Sequence, residues 1–181
     1  YLIDTSGPAP QIPCVPGTAY RHAVPDTLSI SALDDFDGFL TDLYAACKAM
    51  DIPADAAISE SGVGQFEINL LHCDDALRTA DNAWLFKIAA KGVARKHGFT
   101  ASFMAKPYPD SAGSGMHSHF SVLDAEGRNI FDDGSPNGSE TLRHAVAGCL
   151  AAMADSSLIF APFDNSFERL VPGVNAPTSL C

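Results

Sequence analysis

The sequence predicts an α+β domain, a mainly antiparallel sheet backed by helices. Two patterns carry that expectation. Two segments place apolar residues on one helical face and a third is rich in Ala and Leu, and short extended runs punctuated by Gly and Pro lie between them. No internal repeat or low-complexity tract interrupts this order.

A short strand at residues 1–3 opens the chain, and Pro8, Pro10, Pro13, Pro16 and Pro25 then remove backbone donors, which predicts a long irregular loop. Over residues 31–50, Leu33, Phe36, Phe39, Leu40, Leu43, Tyr44 and Cys47 share one helical face, and Asp34, Asp35 and Asp37 suit its N-terminal dipole. Residues 56–59 and 65–71 read as two extended runs joined through Gly62 and Gly64 into a hairpin-like unit. A second helix over residues 76–96 is expected to bury Ala80, Trp84, Leu85, Ile88, Ala89 and Val93, with Gly98 as its stop. Residues 100–104 and 116–123 read as strands on either side of a loop rich in Pro, Asp, Ser and Gly, and an Ala- and Leu-rich third helix runs from Glu140 to about Ala154.

A length of 181 residues suits one domain, or two small ones, and 46% hydrophobic residues against 18% charged excludes a disordered tail. The formal charge of −11 has the wrong sign for tracking a phosphate backbone or an anionic leaflet, so neither nucleic acid nor a membrane is the expected partner. No apolar run approaches the ~20 residues that span a bilayer. Cys14, Cys47, Cys73, Cys149 and Cys181 are odd in number and show no C-x-x-C spacing, which points to reduced thiols filling the core of a cytoplasmic protein. Tyr1 and Cys181 both look like cut ends, so a piece of a longer protein is expected.

Three constellations could carry chemistry. In Glu60-Ser-Gly-Val-Gly-Gln-Phe-Glu67, a tight glycine turn can bring two carboxylates toward one point, or leave two surface glutamates on a hairpin. In Gly113-Ser-Gly-Met-His117-Ser-His119-Phe-Ser121, an extended chain would put His117, His119 and Ser121 on one side, suited to a metal or to phosphate oxygens, or simply half-exposed. In Asn165-Ser-Phe-Glu-Arg169-Leu-Val-Pro-Gly173, Arg169 can present its fork to a carboxylate or phosphate, or pair with Glu168 or a nearby Asp.

Together with Phe103-Met-Ala-Lys-Pro107, these segments resemble, in matching order over about 115 residues, the catalytic domain of the glutamine synthetase family. The resemblance implies that Glu60 and Glu67 are ligands of the metal facing the substrate carboxylate and that His117 is a ligand of the nucleotide-side metal, Mg²⁺ or Mn²⁺. It implies ATP contacts for His119 and Ser121 and a weaker nucleotide contact at Asp55. It also implies a backbone contact to glutamate at Gly113, and a catalytic, substrate-holding role for Arg169. The implied reaction joins glutamate to ammonia or an amine through a γ-glutamyl phosphate, with ATP as co-substrate, in a ring-shaped homo-oligomer.

Two positions depart from the family pattern. Ala112 stands where an Asn usually precedes the Gly-Ser-Gly-Met-His run, which removes one polar contact to the amino-acid substrate. Asn175 replaces a Glu that shapes the ammonium site, and an amide cannot accept that proton as a base. An organic amine is therefore expected as acceptor; a glutamine synthetase proper, an inactive structural or regulatory member of the fold, and an unrelated metal-dependent hydrolase built on His117 and His119 are the alternatives. By the same resemblance, residues 1–181 hold part of a catalytic domain, without an N-terminal β-grasp domain, an upstream Glu-x-Glu pair, or downstream arginines and a Glu. The chain alone is expected to show no ligase turnover.

Overall fold

The computed structural model describes residues 1–170, which divide after Ser114 into two compact units, the first Tyr1–Ser114 and the second beginning at Gly115. In the first, strand β1 (Leu2–Ile3) pairs antiparallel with β4 (Thr100–Ala101), and β2 (Ala54–Ser59) pairs antiparallel with β3 (Phe66–Leu70). Helices α1 (Ile30–Asp34), α2 (Asp37–Ala49) and α3 (Ala76–Lys96) complete it. The expected strand over residues 100–104 is thus confined to its first two residues, which pair with β1, with Ser102 continuing the contact through hydrogen bonds of 2.8 and 3.0 Å to Tyr1.

The helix expected over residues 31–50 is two helices. Phe36 leaves the helical basin (φ −115°, ψ 21°) and buries its ring edge-on against Phe66, with centroids 5.3 Å apart, and near Phe99 at 5.8 Å. Burying the ring outweighs the few tenths of a kcal/mol per residue that helical continuity offers. The anticipated apolar face is otherwise observed: Phe39, Leu40, Leu43 and Cys47 are buried.

Helix α3 begins where the Asp75 carboxylate accepts from the amides of Leu77 and Arg78. It ends as expected at Gly98, whose φ is +78°, with the Phe99 amide donating to the Ala94 carbonyl at 2.8 Å and that of Gly98 to Arg95 at 3.2 Å. Its buried face is turned from the expected one. Asn82, Ala89, Ala90, Val93 and Ala94 are buried, whereas Trp84 is 62% exposed and Ile88 46%. Small side chains let α2 and α3 approach closely, so the contact uses the alanine face of α3 rather than its bulkiest one. Of the four cysteines among the described residues, all free, only Cys47 fills the core; Cys73 and Cys149 are exposed.

The proline-rich loop after β1 is tied down by polar contacts. Arg21 donates to the Ile12 carbonyl and, at 2.7 Å, to Asp4, which also accepts from the Ser6 hydroxyl at 2.6 Å and amide at 2.9 Å. These donors, Ser6 foremost, pull the Asp4 carboxyl from 3.8 to about 2. A folded-state value below the unfolded one means stability that is present above about pH 4 and lost as pH falls toward 2. Asp4→Asn should therefore lower the melting temperature near pH 6 and make little difference near pH 2, as read by thermal melts at both; an equal effect at the two pH values would contradict this linkage.

In the second unit, α4 (Glu140–Ala152) is capped by Ser139, whose hydroxyl accepts from the Leu142 amide and donates to the Ile130 carbonyl. It is followed by α5 (Ser157–Phe160) and α6 (Asp164–Phe167). The strand expected over residues 116–123 does not form, because an alternating pattern becomes a strand only with a ladder partner. Only Leu123 makes an isolated bridge, to Asn129. Met116, Phe120, Leu158, Ile159 and Phe160 all remain exposed. Among the described residues no helix is long and apolar enough to cross a membrane.

Candidate functional site

The β2–β3 hairpin builds the carboxylate pair. Ser59 faces Phe66 and Ile58 faces Glu67, and the ladder continues through the Glu60 amide donating to the Gln65 carbonyl at 2.9 Å. Residues opposite one another, and residues two apart on a strand, share a face. Glu60, Gln65 and Glu67 therefore lie on the same side, with Glu60 and Glu67 as diagonal neighbours about 7–8 Å apart at Cα. Both glutamates are half-buried, and among the described residues the Glu67 carboxylate has no hydrogen-bond donor. Gly62 belongs in the turn because a Cβ there would overlap the Tyr1 phenol.

Three successive carbonyls of the neighbouring loop are each held by a side chain. Lys106 Nζ donates to the Ser111 oxygen at 2.6 Å, the Tyr1 hydroxyl to Ala112 at 2.5 Å, and Gln65 Nε2 to Gly113 at 3.0 Å. The loop closes on itself through the Ser114 amide and the Ala105 carbonyl at 2.8 Å. Burial raises the pKa of the Tyr1 phenol, and the charge of Glu60 nearby adds to that shift. Gly113 is thus fixed to the hairpin that carries both glutamates, with Lys106 only 3% and Gln65 8% exposed. Sequence reasoning missed Tyr1, Gln65 and Lys106 as site-building residues, although Gln65 and Lys106 sit inside the quoted motifs.

The other candidates sort differently. Asp55 is exposed at the opposite end of the hairpin from Glu60, its carbonyl accepting from the Tyr44 hydroxyl at 2.6 Å, and it is not brought to the carboxylate pair. His117, His119 and Ser121 are exposed, on a segment without the ladder that would align them. Arg169 does not pair with Glu168, whose carboxylate accepts from Asn165 at 3.0 Å, and Arg169 makes no ion pair among the described residues. Its Nε is buried without a partner among them. A Cβ at Gly115 would lie 3.0 Å from the Arg169 Nη2 and 3.7 Å from the His117 Nε2, so the guanidinium and the imidazole converge on this glycine. Asn175 lies outside the described residues.

These donors can be tested against a divalent cation. Hard cations such as Mg²⁺ and Mn²⁺ take about six oxygen ligands, and two half-buried carboxylates on one face suit the start of such a shell. Among the described residues no three His, Cys, Asp or Glu side chains lie together closely enough to hold an ion, so Glu60 and Glu67 would be a part of a coordination shell and not the whole of it.

Helices packed against antiparallel strands, with a paired-carboxylate hairpin tied to a glycine loop, define an α+β architecture. Residues 9–181 match the family model described as "Glutamine synthetase, catalytic domain", and the chain belongs to the glutamine synthetase family. The chain is 39% identical over 181 residues to gamma-glutamylputrescine synthetase PuuA of Escherichia coli K12, covering 98% of the chain and 38% of that protein. It is likewise 39% identical over 129 residues to gamma-glutamylethanolamide synthetase GlnA4 of Streptomyces coelicolor, covering 71% of the chain and 27% of the relative. A GmaS–ADP complex superposes with a TM-score of 0.79 at 28% identity, over 99% of the chain and 40% of GmaS. The fold is therefore that of the glutamine synthetase family, of whose members the chain spans well under half the length.

Proposed function

We propose that the protein is the central part of an ATP-dependent ligase that joins glutamate to an organic amine as a γ-glutamyl amide. The observation that carries this reading is the hairpin that sets Glu60 and Glu67 on one face and holds the Gly113 carbonyl through Gln65. Membership of the family and the two γ-glutamyl amide synthetases among the relatives support it.

A carboxylate is a poor acyl donor. In this reading its γ-oxygen attacks the γ-phosphorus of ATP, the bond to ADP breaks, and γ-glutamyl phosphate forms. The amine nitrogen then bonds to the acyl carbon, inorganic phosphate leaves with the C–O electron pair, and the nitrogen loses a proton to solvent or a base. Glu60 and Glu67 are the residues that would hold the metal facing the substrate carboxylate, and His117 one that would hold the nucleotide-side metal; Mg²⁺ or Mn²⁺ bound there would offset the negative charge of the phosphates. Gly113 positions the glutamate backbone. Arg169, which has no carboxylate partner among the described residues, holds the substrate and the charge that develops on the phosphoryl group. His119 and Ser121 contact ATP, Asp55 makes a weaker nucleotide contact, and Asn175 takes the place of the acid at the ammonium site, where an amide cannot accept a proton as a base. The remainder of the catalytic domain and a ring of subunits complete the site.

The test uses the protein with its whole catalytic domain: ATP hydrolysis and amide formation are followed with glutamate and putrescine, ethanolamine or ammonia. Stimulation by glutamate plus a primary amine is the expected result. Stimulation by ammonia alone would assign a glutamine synthetase, and no coupled binding of Mn²⁺ and ATP would assign an inactive scaffold.

A further inference from the structure

The chain carries 11 Lys and Arg against 22 Asp and Glu, and most of its described arginines sit against a carboxylate or a carbonyl: Arg21 on Asp4, Arg78 on Asp51, Arg128 on Asp124 and Glu126, Arg143 on the Gly138 oxygen. Lys87, Lys91 and Arg95 stand apart as three cations in a row. They recur every four residues along α3, on one face, and pair with no carboxylate among the described residues. Like charges at that spacing repel, so the helix carries an unfavourable row in a chain with a twofold excess of acids.

This row lines one wall of a cavity of about 560 Å³ whose other side is formed by Thr100, Ser102 and Phe103. No carboxylate borders it. The Lys87 and Lys91 ammonium groups sit 5.7 and 6.0 Å from the centroid of the Phe103 ring, which Phe86 braces edge-on at 6.2 Å. The ring face therefore lies within reach of both exposed cations and helps to keep them on one side of the groove. The Ser102 hydroxyl accepts from the Met104 amide at 3.2 Å, which leaves its proton to donate. At 1.5 Å rise per residue the three cations span about 12 Å, a row that fits adjacent charged groups better than one compact anion, and the Arg95 fork suits phosphate oxygens.

We infer that this groove between α3 and β4 binds the diphosphate or triphosphate part of a small molecule, at a place separate from the Glu60–Glu67 hairpin. The volume lies within the range of small-molecule sites. The inference does not depend on the ligase reading, since it uses none of the residues assigned to that reaction.

Calorimetric titration of the protein with inorganic pyrophosphate, in chelator to exclude divalent cations, tests it. Binding is expected to weaken about threefold in Lys91→Gln or Arg95→Gln and about tenfold in the double variant, and to fall as salt rises. Phe103→Leu, which leaves the charge unchanged, should weaken it about threefold by releasing the two ammonium groups. Lys96→Gln, on the same helix outside the groove, controls for net charge, and circular dichroism checks that each variant keeps its helices. An ADP arm separates the sources: tighter binding than pyrophosphate with the same dependence on Lys91 and Arg95 assigns a nucleotide, and equal binding assigns the phosphates alone. Absence of pyrophosphate binding, or loss that is equal in Lys96→Gln and Arg95→Gln, overturns the inference.

Discussion

If the proposed ligase reading holds, Glu67→Gln in the protein carrying its whole catalytic domain is expected to lower the rate of amide formation by about 10²–10³-fold while leaving the fold intact. The substitution is isosteric. Glu67 faces Ile58 across an antiparallel ladder whose hydrogen bonds are made by backbone, so an amide in place of the carboxylate disturbs no contact that holds the hairpin. It removes half of the charge that the hairpin offers on this face, where the carboxylate has no hydrogen-bond donor of its own among the described residues. Loss of one carboxylate ligand typically leaves a cation more weakly held and worse placed, so Mn²⁺ affinity measured by calorimetry should fall together with the rate. An unchanged rate with unchanged Mn²⁺ affinity would remove Glu67 from the site. A fall in rate with a matching loss of thermal stability would instead make it a structural residue.

How much of this could be read beforehand depends on the range of the interaction. Gly98 and the hairpin around Gly62 and Gly64 were legible because turns and helix stops are chosen by local backbone chemistry. The break at Phe36 was not, because it is decided by Phe66 and Phe99, which are 30 and more residues away in sequence. The face of α3 was misjudged for a related reason. Periodicity marks where large apolar residues fall, whereas the close approach to α2 selects Ala89, Ala90 and Ala94 and leaves Trp84 outside. At the site, Glu60 and Glu67 stood out as carboxylates around a glycine turn. Gln65 and Tyr1 did not, since polar side chains that reach loop carbonyls 48 and 111 residues away have no sequence period, and Lys106, though only five residues from Ser111, reaches its carbonyl across an irregular loop that has no period either. His117, His119 and Ser121 show the converse: their alternation is real, but the ladder that would turn it into a strand is absent among the described residues.

Phe36→Ala has the largest expected effect on stability, a loss of about 3–5 kcal/mol. The side chain is 2% exposed and touches the hairpin through Phe66 and the end of α3 through Phe99, so its removal opens a cavity between elements that cannot all collapse onto it. One term opposes the loss. Alanine is the better helix former, and it would favour joining α1 to α2, but only by about 0.5 kcal/mol, a small fraction of the cavity cost. Against a total stability of about 5–15 kcal/mol, the loss should bring the urea midpoint down by about 1–3 M, read by circular dichroism at unchanged slope. Trp84→Ala is the matched control: a larger aromatic on the exposed side of α3, whose loss should cost under about 1 kcal/mol. Equal midpoint shifts for the two variants would mean that the aromatic cluster around Phe36 does not hold the helices to the hairpin, and with it would fall the explanation of why the chain breaks its helix there.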